Sequence, residues 1–133
     1  MRAVFADTFF FHALLDRSDA MHARAIVASR VPQRRFITTE AVLMELGDAL
    51  HLPAERGEFT AIVDMVRKHA AWELIPASSD WFQAGLEIFR RHSDKAWQLT
   101  DCISMAVMRK RHLREALTGD AHFEQAGFTA LLR

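Results

Sequence analysis

The sequence predicts an α/β fold: a three-layer α/β/α sandwich built around a mainly parallel sheet of four to five strands. Short apolar segments alternate with longer segments of helical periodicity along the chain, which is the pattern of successive β-α-β units. Asp7 and Asp120 each directly follow one of the short segments. Because parallel strands end along one edge of a sheet, we expect these two carboxylates at the same edge. A chain of 133 residues is expected to form a single domain over residues 1–133.

The first half of the chain is predicted to contain two strands and three helices. Residues 2–6 are almost continuously apolar, as in a strand that is covered on both faces. Pro32 ends the second helix, and Val42, Leu46 and Leu50 recur at helical spacing in the third. The predicted order is strand 2–6, helix 8–16, a helix capped by Ser18 or Asp19 and running to about Arg30, strand 36–38, and helix 39–51.

The second half repeats this alternation. Residues 103–108 are apolar nearly all the way round a helix, so that helix is expected to be central and buried. Gly127 is a typical helix terminator before the last segment. The predicted order is helix 54–69, strand 72–76, a helix capped within 78–80 that dissolves at 90–95, a helix capped by Thr100, strand 116–118, helix 121–125 and strand 128–132.

Composition excludes several classes of protein. Lys plus Arg and Asp plus Glu both number 17, so the chain lacks the global basic excess of a histone-like nucleic-acid binder. The one cysteine, Cys102, cannot form an internal disulfide. No unbroken apolar run reaches the roughly 18 residues of a membrane helix. We therefore expect a soluble, cytoplasmic protein with no membrane-embedded part.

Four carboxylates are the candidate functional residues: Asp7, Glu45, Asp101 and Asp120. The three aspartates lie near predicted helix amino termini, where Asp is favoured simply because it caps free N–H groups. For each aspartate taken alone, capping is the commoner explanation. Glu45 lies in mid-helix, where capping does not apply, although a solvated position at the edge of the apolar stripe would also accommodate it.

Asp101 is difficult to explain as a surface residue. It begins the helix that is predicted to be buried, on one face with Ser104, Met105 and Met108, and an unpaired carboxylate there is costly. Carboxylates that crowd together repel one another unless a divalent cation neutralises them. Ligands that offer only oxygen select Mg²⁺ or Mn²⁺, and the matching chemistry is phosphodiester hydrolysis by a metal-activated water.

Four segments together resemble a known family, the PIN-domain ribonucleases of the VapC toxin type, and the resemblance spans nearly the whole chain. The segments are Val-Phe-Ala-Asp7-Thr8, Thr38-Thr39-Glu-Ala-Val-Leu-Met-Glu45-Leu, Gln-Leu-Thr-Asp101-Cys-Ile-Ser104, and Leu-Thr118-Gly-Asp120-Ala-His-Phe123-Glu-Gln-Ala-Gly127-Phe128. The resemblance implies that Asp7, Glu45, Asp101 and Asp120 are the catalytic and metal-binding residues. It also implies that Thr118 supplies a supporting hydroxyl. Gly119 departs from the pattern, since a bulky residue commonly occupies that position.

The resemblance implies a function as well as a site. The chain is expected to be a Mg²⁺- or Mn²⁺-dependent endoribonuclease that leaves a 3′-hydroxyl and a 5′-phosphate, and to act as the toxin of a type II toxin-antitoxin pair. A cognate antitoxin and a homodimer are the expected partners, and the helix carrying Phe9, Phe10 and Phe11 is the expected edge of the antitoxin groove. The alternatives are a decayed, non-catalytic RNA- or protein-binding relative and, more distantly, a DNA-directed flap nuclease.

Three basic runs and seven histidines complete the candidates. The basic runs are possible phosphate contacts for RNA, although solvated helix ends are the commoner use of such runs. The histidines show no zinc-site spacing with the lone cysteine and are predicted to be surface or cap residues. The runs are Arg34-Arg35, Arg90-Arg91-His92 and Arg109-Lys110-Arg111-His112, and the histidines are His12, His22, His51, His69, His92, His112 and His122.

Overall fold

A computed structural model describes residues 2–133, and this part of the chain contains five strands and seven helices. The strands are Ala3–Ala6 (β1), Arg35–Thr39 (β2), Trp72–Ile75 (β3), Glu115–Leu117 (β4) and Thr129–Ala130 (β5). The helices are Thr8–Leu15 (α1), His22–Ser29 (α2), Glu40–Ala49 (α3), Arg56–Lys68 (α4), Ser79–Arg91 (α5), Leu99–Lys110 (α6) and Ala121–Gln125 (α7).

The strands form one sheet in the order β3-β2-β1-β4-β5, and every neighbouring pair is parallel. The central strand β1 pairs Phe5 with Ile37 of β2 on one side and with Ala116 of β4 on the other. Helices flank this sheet, so the predicted α/β/α sandwich with a parallel sheet is confirmed. Since all strands point the same way, β1, β2 and β4 all end at one edge, where the chain reaches Asp7, Glu40 and Thr118.

Burial follows the predicted apolar pattern. Val4, Phe5 and Ala6 of the central strand are fully buried, as expected for a strand that is covered on both faces. Helix α6 is buried along most of its length, including Met105 and Met108. The prediction that this helix is central is therefore confirmed. Burial extends to Asp101 in its first turn.

Two predicted caps are wrong. Helix α6 begins two residues earlier than expected, because Gln98 rather than Thr100 is its N-cap residue and forms a capping box with Asp101. Helix α2 begins at His22, and neither Ser18 nor Asp19 caps it. Ser18 instead donates from its backbone and its hydroxyl to Asp16, which stabilises a local turn.

Two predicted boundaries also differ. Helix α5 continues to Arg91 instead of dissolving at Arg90, and the last strand is limited to Thr129–Ala130. None of the helices in residues 2–133 is long and apolar enough to cross a membrane.

Candidate active site

The four predicted acids come from four different elements. Asp7 directly follows β1, Glu45 lies in the middle of α3, Asp101 is in the first turn of α6, and Asp120 is the N-cap residue of α7. Asp7 and Asp120 therefore extend from the ends of the adjacent strands β1 and β4, as the sequence pattern indicates.

Asp7 lies inside the protein, with only 5% of its surface exposed. The Thr118 hydroxyl donates a hydrogen bond to Asp7 Oδ2 at 2.9 Å, and the same Thr118 oxygen accepts from the Asp120 backbone N–H at 3.0 Å. Burial first, and then the nearby negative charge of Asp101, raise the pKa of Asp7 to about 7. The Thr118 hydroxyl thus contacts both Asp7 and Asp120. This is the supporting role that the family resemblance implies for it.

Asp101 is also largely buried and is held from two directions. Its Oδ2 accepts from the Gln98 backbone N–H at 3.2 Å and lies 3.0 Å from His122 Nδ1. Burial raises the pKa of Asp101, and the hydrogen bond from His122 opposes that rise. This carboxylate is therefore fixed in direction before any ligand binds.

Asp120 is more exposed than Asp101: 34% of its side chain is accessible, against 7% for Asp101. Its Oδ1 accepts from the His122 backbone N–H at 2.9 Å and lies 3.3 Å from His122 Nδ1. One ligand atom from each of Asp101, Asp120 and His122 can be chosen so that all three lie within 4.8 Å of one another. The structure therefore brings Asp101 and Asp120 into one cluster.

Glu45 is half-buried and lies outside that three-residue cluster. Its negative charge is near enough to contribute to the raised pKa of Asp7, more weakly than the charge of Asp101. Glu45 is thus on the Asp7 side of the site rather than on the Asp120 side.

Capping explains part of this arrangement. Asp120 caps α7, and Asp101 contributes to the capping box of α6. Asp7 makes no side-chain cap bond to α1, although it occupies the N-cap position. The commoner explanation therefore accounts for two of the three aspartates and leaves the buried carboxylate of Asp7 without a structural role of that kind.

The donor set fits a hydrated divalent cation. Within residues 2–133, none of the four acids forms an ion pair with Lys or Arg. Two buried hydroxyls near them, Thr8 Oγ1 and Ser104 Oγ, have no hydrogen-bond partner in the same part of the chain. A cation with its water shell would neutralise the carboxylates and supply partners for such hydroxyls. Carboxylate oxygens are the ligands that Mg²⁺ and Mn²⁺ prefer.

Comparison with known proteins identifies the family. The family described as PIN domain matches residues 4–129, which is most of the chain. The chain belongs to the PIN-domain family. This PIN domain is 30% identical over 133 residues to the 23S rRNA-specific endonuclease VapC20 of Mycobacterium tuberculosis, with 94% of this chain and 95% of the relative covered.

Solved structures confirm the fold. The crystal structure of Mycobacterium tuberculosis VapC20, described as a sarcin-ricin loop cleaving toxin, matches with a TM-score of 0.81 and 28% identity over 95% of this chain and 96% of that one. The VapBC-5 toxin-antitoxin structure from the same organism matches with a TM-score of 0.61 and 22% identity, over 100% of this chain and 97% of that chain. The family match and the 30%-identical endonuclease confirm the predicted family and the prediction of a nuclease.

His122 is the residue of this PIN domain that the sequence prediction missed. It was predicted to be a surface or cap histidine, but its ring is only 26% exposed and lies between Asp101 and Asp120. The spacing of His122 from Asp120 is the feature that could have indicated its position. His122 follows Asp120 by two residues in the first turn of a short helix, which keeps it close to that acid. His122 has no zinc-type spacing to the other histidines or to Cys102, so that pattern does not indicate its position beside the acids.

Gly119 departs from the expected bulky residue for a visible reason. A Cβ atom at Gly119 would lie 2.4 Å from Phe9 Cζ, so the Phe9 ring occupies the space beside the backbone that links Thr118 to Asp120. Phe10 and Phe11 are fully buried, whereas Phe9 is half-buried. Of the three rings, Phe9 is therefore the one that is not fully buried, and it packs against Gly119.

The three basic runs are not equally close to the acids. Arg34-Arg35 lies at the amino end of β2, and Arg109–His112 lies at the carboxyl end of α6, far from Asp101 at its amino end. Within the latter run, Arg111 makes a two-pronged ion pair with Glu73, at 2.8 Å for both contacts. Both runs therefore belong to the opposite end of the sheet.

The run Arg90-Arg91-His92 is connected to the acid site. The His92 ring lies 4.8 Å, centroid to centroid, from the ring of Trp97. Trp97 Nε1 donates to Gln125 Oε1 of α7 at 2.9 Å, and the next residue, Gln98, caps α6 beside Asp101. Of the three basic runs, this one is the best placed to contact a substrate that reaches the acids.

Proposed function

We propose that this PIN domain is a metal-dependent endoribonuclease and the toxin of a type II toxin-antitoxin pair. The observation that carries the proposal is the convergence of acids at one edge of the sheet, where Asp7 is buried with its pKa raised to about 7 and lacks a Lys or Arg partner within residues 2–133. Such a carboxylate favours either a proton or a cation. The relative VapC20 cuts 23S rRNA, as its name states, which supports RNA as the substrate.

We assign Asp7, Glu45, Asp101 and Asp120 as the residues that hold Mg²⁺ or Mn²⁺. A divalent ion supplies charge stabilisation at the scissile phosphate and lowers the pKa of a bound water. Thr118 orients Asp7 through its hydroxyl and fixes the Asp120 backbone, while Gln98 fixes Asp101. These contacts place the carboxylates before the substrate arrives, so little reorganisation accompanies the reaction.

The reaction is a hydrolysis in which the water oxygen bonds to phosphorus and the bond from phosphorus to the 3′ oxygen breaks. A carboxylate accepts a proton from the attacking water, and the departing 3′ oxygen takes up a proton from solvent, so a 5′-phosphate and a 3′-hydroxyl result. We assign the positioning of this water to Asp120, because its side chain is the more exposed of the Asp101–Asp120 pair, at 34% against 7%. Asp7 is enclosed by the core and suits a purely electrostatic part.

RNA, a cognate antitoxin and a second copy of the chain are the partners that we propose, with the cytoplasm as the compartment. The predicted antitoxin groove beside α1 stays a prediction; Phe10 and Phe11 are fully buried, so Phe9 is the ring of the three that α1 offers to such a groove. Exposed apolar side chains lie on α3 and α5 as well, including Met44 and Phe82, which line one cavity of about 100 Å³. That surface suits a protein partner.

The proposal is tested with purified protein freed of any antitoxin. Total RNA and a hairpin copying the sarcin-ricin loop of 23S rRNA are incubated with Mg²⁺, with Mn²⁺ or with a chelator, and the product ends are mapped. We expect cleavage only with a divalent ion, leaving a 5′-phosphate, and none with Asp101→Asn. A folded protein that cuts no RNA and binds no Mn²⁺ would contradict the proposal and favour a non-catalytic binding module.

A further inference from the structure

His122 is held rigidly beside two of the proposed ligands. Its neighbour Phe123 is fully buried in the core, and Gln125 on the same helix accepts the hydrogen bond from Trp97 Nε1 at 2.9 Å. These two contacts anchor α7, the helix that carries His122. Nδ1 of that ring lies 3.0 Å from Asp101 Oδ2 and 3.3 Å from Asp120 Oδ1.

We propose that His122 Nδ1 is a third ligand of a divalent cation held by Asp101 and Asp120, and that it makes this site prefer Mn²⁺ or another transition-metal ion to Mg²⁺. This inference rests on the proposed metal-dependent nuclease and specifies its metal. It adds a nitrogen donor to a set that the sequence resemblance limits to carboxylates.

The separations of the three donor atoms fit a common ion. Ligands about 2.1 Å from a metal and at right angles to each other lie about 3.0 Å apart, close to the 3.0 and 3.3 Å from His122 Nδ1 to the two carboxylates. All three donors lie within 4.8 Å of one another, a spacing that is compatible with a shared ion. Without an ion, the same Nδ1 atom lies at hydrogen-bond distance from Asp101 Oδ2.

A second observation points to a ligand beside Asp101. The hydroxyl of Ser104, fully buried one helical turn after Asp101, has no hydrogen-bond partner within residues 2–133. A metal-bound water would provide one, since buried hydroxyls are nearly always satisfied by protein or by ordered solvent. The unpaired hydroxyl of Ser104 is a separate observation from the distances among the three donor atoms.

The identity of the donor atoms predicts metal preference. Imidazole nitrogen suits transition-metal ions, whereas Mg²⁺ prefers oxygen donors and retains several waters. Losing the nitrogen should therefore weaken Mn²⁺ binding selectively. A residue that only oriented Asp101 would, when removed, weaken Mg²⁺ and Mn²⁺ binding to a similar degree.

The test is electron spin echo spectroscopy of Mn²⁺ bound to the full chain, which detects nitrogen-14 coordinated directly to the ion. We expect a directly coordinated nitrogen in the wild type and in the control variant His51→Asn. His51 is an exposed histidine that follows the carboxyl end of α3. We expect its loss in His122→Asn, whose amide can still donate to Asp101. Calorimetry should show Mn²⁺ affinity falling by about 10-fold or more in His122→Asn, with Mg²⁺ affinity changed by less than about threefold.

The wild-type spectrum keeps the test decisive even if His122→Asn does not fold. Mn²⁺ bound without nitrogen coordination would overturn the inference and leave the proposed nuclease intact. Equal weakening of Mg²⁺ and Mn²⁺ in His122→Asn would also overturn it. Failure of the proposed function is a different result, in which the folded wild type neither binds Mn²⁺ nor cuts RNA.

Discussion

The acid site has two halves that stabilise their carboxylates in different ways. In the buried half, Asp7 has one side-chain hydrogen bond, from Thr118, and its pKa is raised to about 7 mainly by burial. In the open half, Asp101, Asp120 and His122 bond to one another and to the amino ends of helices. Burial raises the pKa of Asp101 as well, although its hydrogen bonds oppose that rise, so both halves favour a cation and Asp7 lacks the cap bonds that the other half has.

This difference shows why helix capping and metal binding are compatible explanations. An aspartate at a helix amino terminus is already fixed in direction and can offer its remaining oxygen to an ion. Asp7 makes no side-chain cap bond, and hydrogen bonds such as that from Thr118 offset only part of the cost of its burial, so a positive ligand or protonation is still favoured. The two halves together make a site that is preorganised on one side and unsatisfied on the other.

The largest expected effect comes from neutralising the buried half. Asp7→Asn should reduce metal-dependent RNA cleavage by about 100-fold or more, the scale of removing a catalytic acid or base. The isosteric amide should still accept from Thr118, so the fold should persist. Cleavage rates at saturating Mn²⁺ measure the effect, with the exposed Asp80→Asn as the matched control. Near wild-type cleavage by Asp7→Asn would show that the buried half takes no part.

The pH dependence of stability should separate the two halves next. The folded protein keeps a proton on Asp7 up to about pH 7, whereas in the unfolded chain the carboxyl loses it near pH 3.8. The folded state therefore binds more protons between these values, and the free energy of unfolding without metal should fall as pH rises through that range. Denaturant titrations from pH 4 to pH 8 measure this fall.

Asp7→Asn should remove most of that pH-dependent loss and should be more stable than the wild type above pH 7 without metal. Added Mn²⁺ should reverse the order, since only the wild type retains the full ligand set. An unchanged pH profile in Asp7→Asn would mean that Asp7 is not the group that titrates.

Thr118 connects the halves, so its hydroxyl should matter for both. Thr118→Val leaves Asp7 Oδ2 and the Asp120 N–H without their shared partner, which should cost about 1–3 kcal/mol of unfolding free energy. Thr118→Ser keeps the hydroxyl and should recover most of the loss. Chemical denaturation of both variants provides the measurement, and equal stability of Val and Ser at this position would count against the connection.

Gly119 should tolerate even one methyl group poorly. Gly119→Ala forces the Phe9 ring away from a Cβ that would lie 2.4 Å from Cζ, and overpacking of this kind costs about 1–3 kcal/mol. The double variant Phe9→Leu with Gly119→Ala should be less destabilised than the sum of the two single variants. Additive effects in this double-mutant cycle would show that Phe9 and Gly119 do not compete for space.

The smallest effects are expected from the basic runs at the opposite end of the sheet. Arg34→Ala and Arg109→Ala should each change cleavage by less than about twofold, because both residues lie far from the acids. Arg90→Ala should reduce the salt dependence of RNA binding if that run contacts phosphate. Binding measured over a range of salt concentrations tests this order, and a larger effect from Arg109 than from Arg90 would reverse the assignment.

The sequence predicted the fold and the grouping of the acids better than it predicted their contacts. Continuous apolar strands and strand-end aspartates indicate a parallel sheet, because those features depend on local periodicity and direction. The bond from Thr118 to Asp7 joins residues 111 positions apart, and only the register of β1 against β4 brings them together. Sequence spacing alone carries no information about such a pair.

Helix starts and His122 were predicted poorly for a related reason. Gln98 and Thr100 are both polar residues near the start of α6, and the capping box with Asp101 places the cap at Gln98. His122 adjoins Asp101 across two helices, and no pattern within either helix records that contact. Gly119 could be recognised as unusual, but the Phe9 ring that explains it lies at the other end of the chain.

Direct titration of Mn²⁺ into the metal-free protein tests the central claim that these acids form one cation site. At pH 7.5, we expect saturable binding to the wild type with release of protons, and binding that is lost or weakened by about 10-fold or more in Asp7→Asn and Asp101→Asn. The exposed Asp80→Asn should bind like the wild type. Equal binding by all four proteins, or none by the folded wild type, would contradict the account.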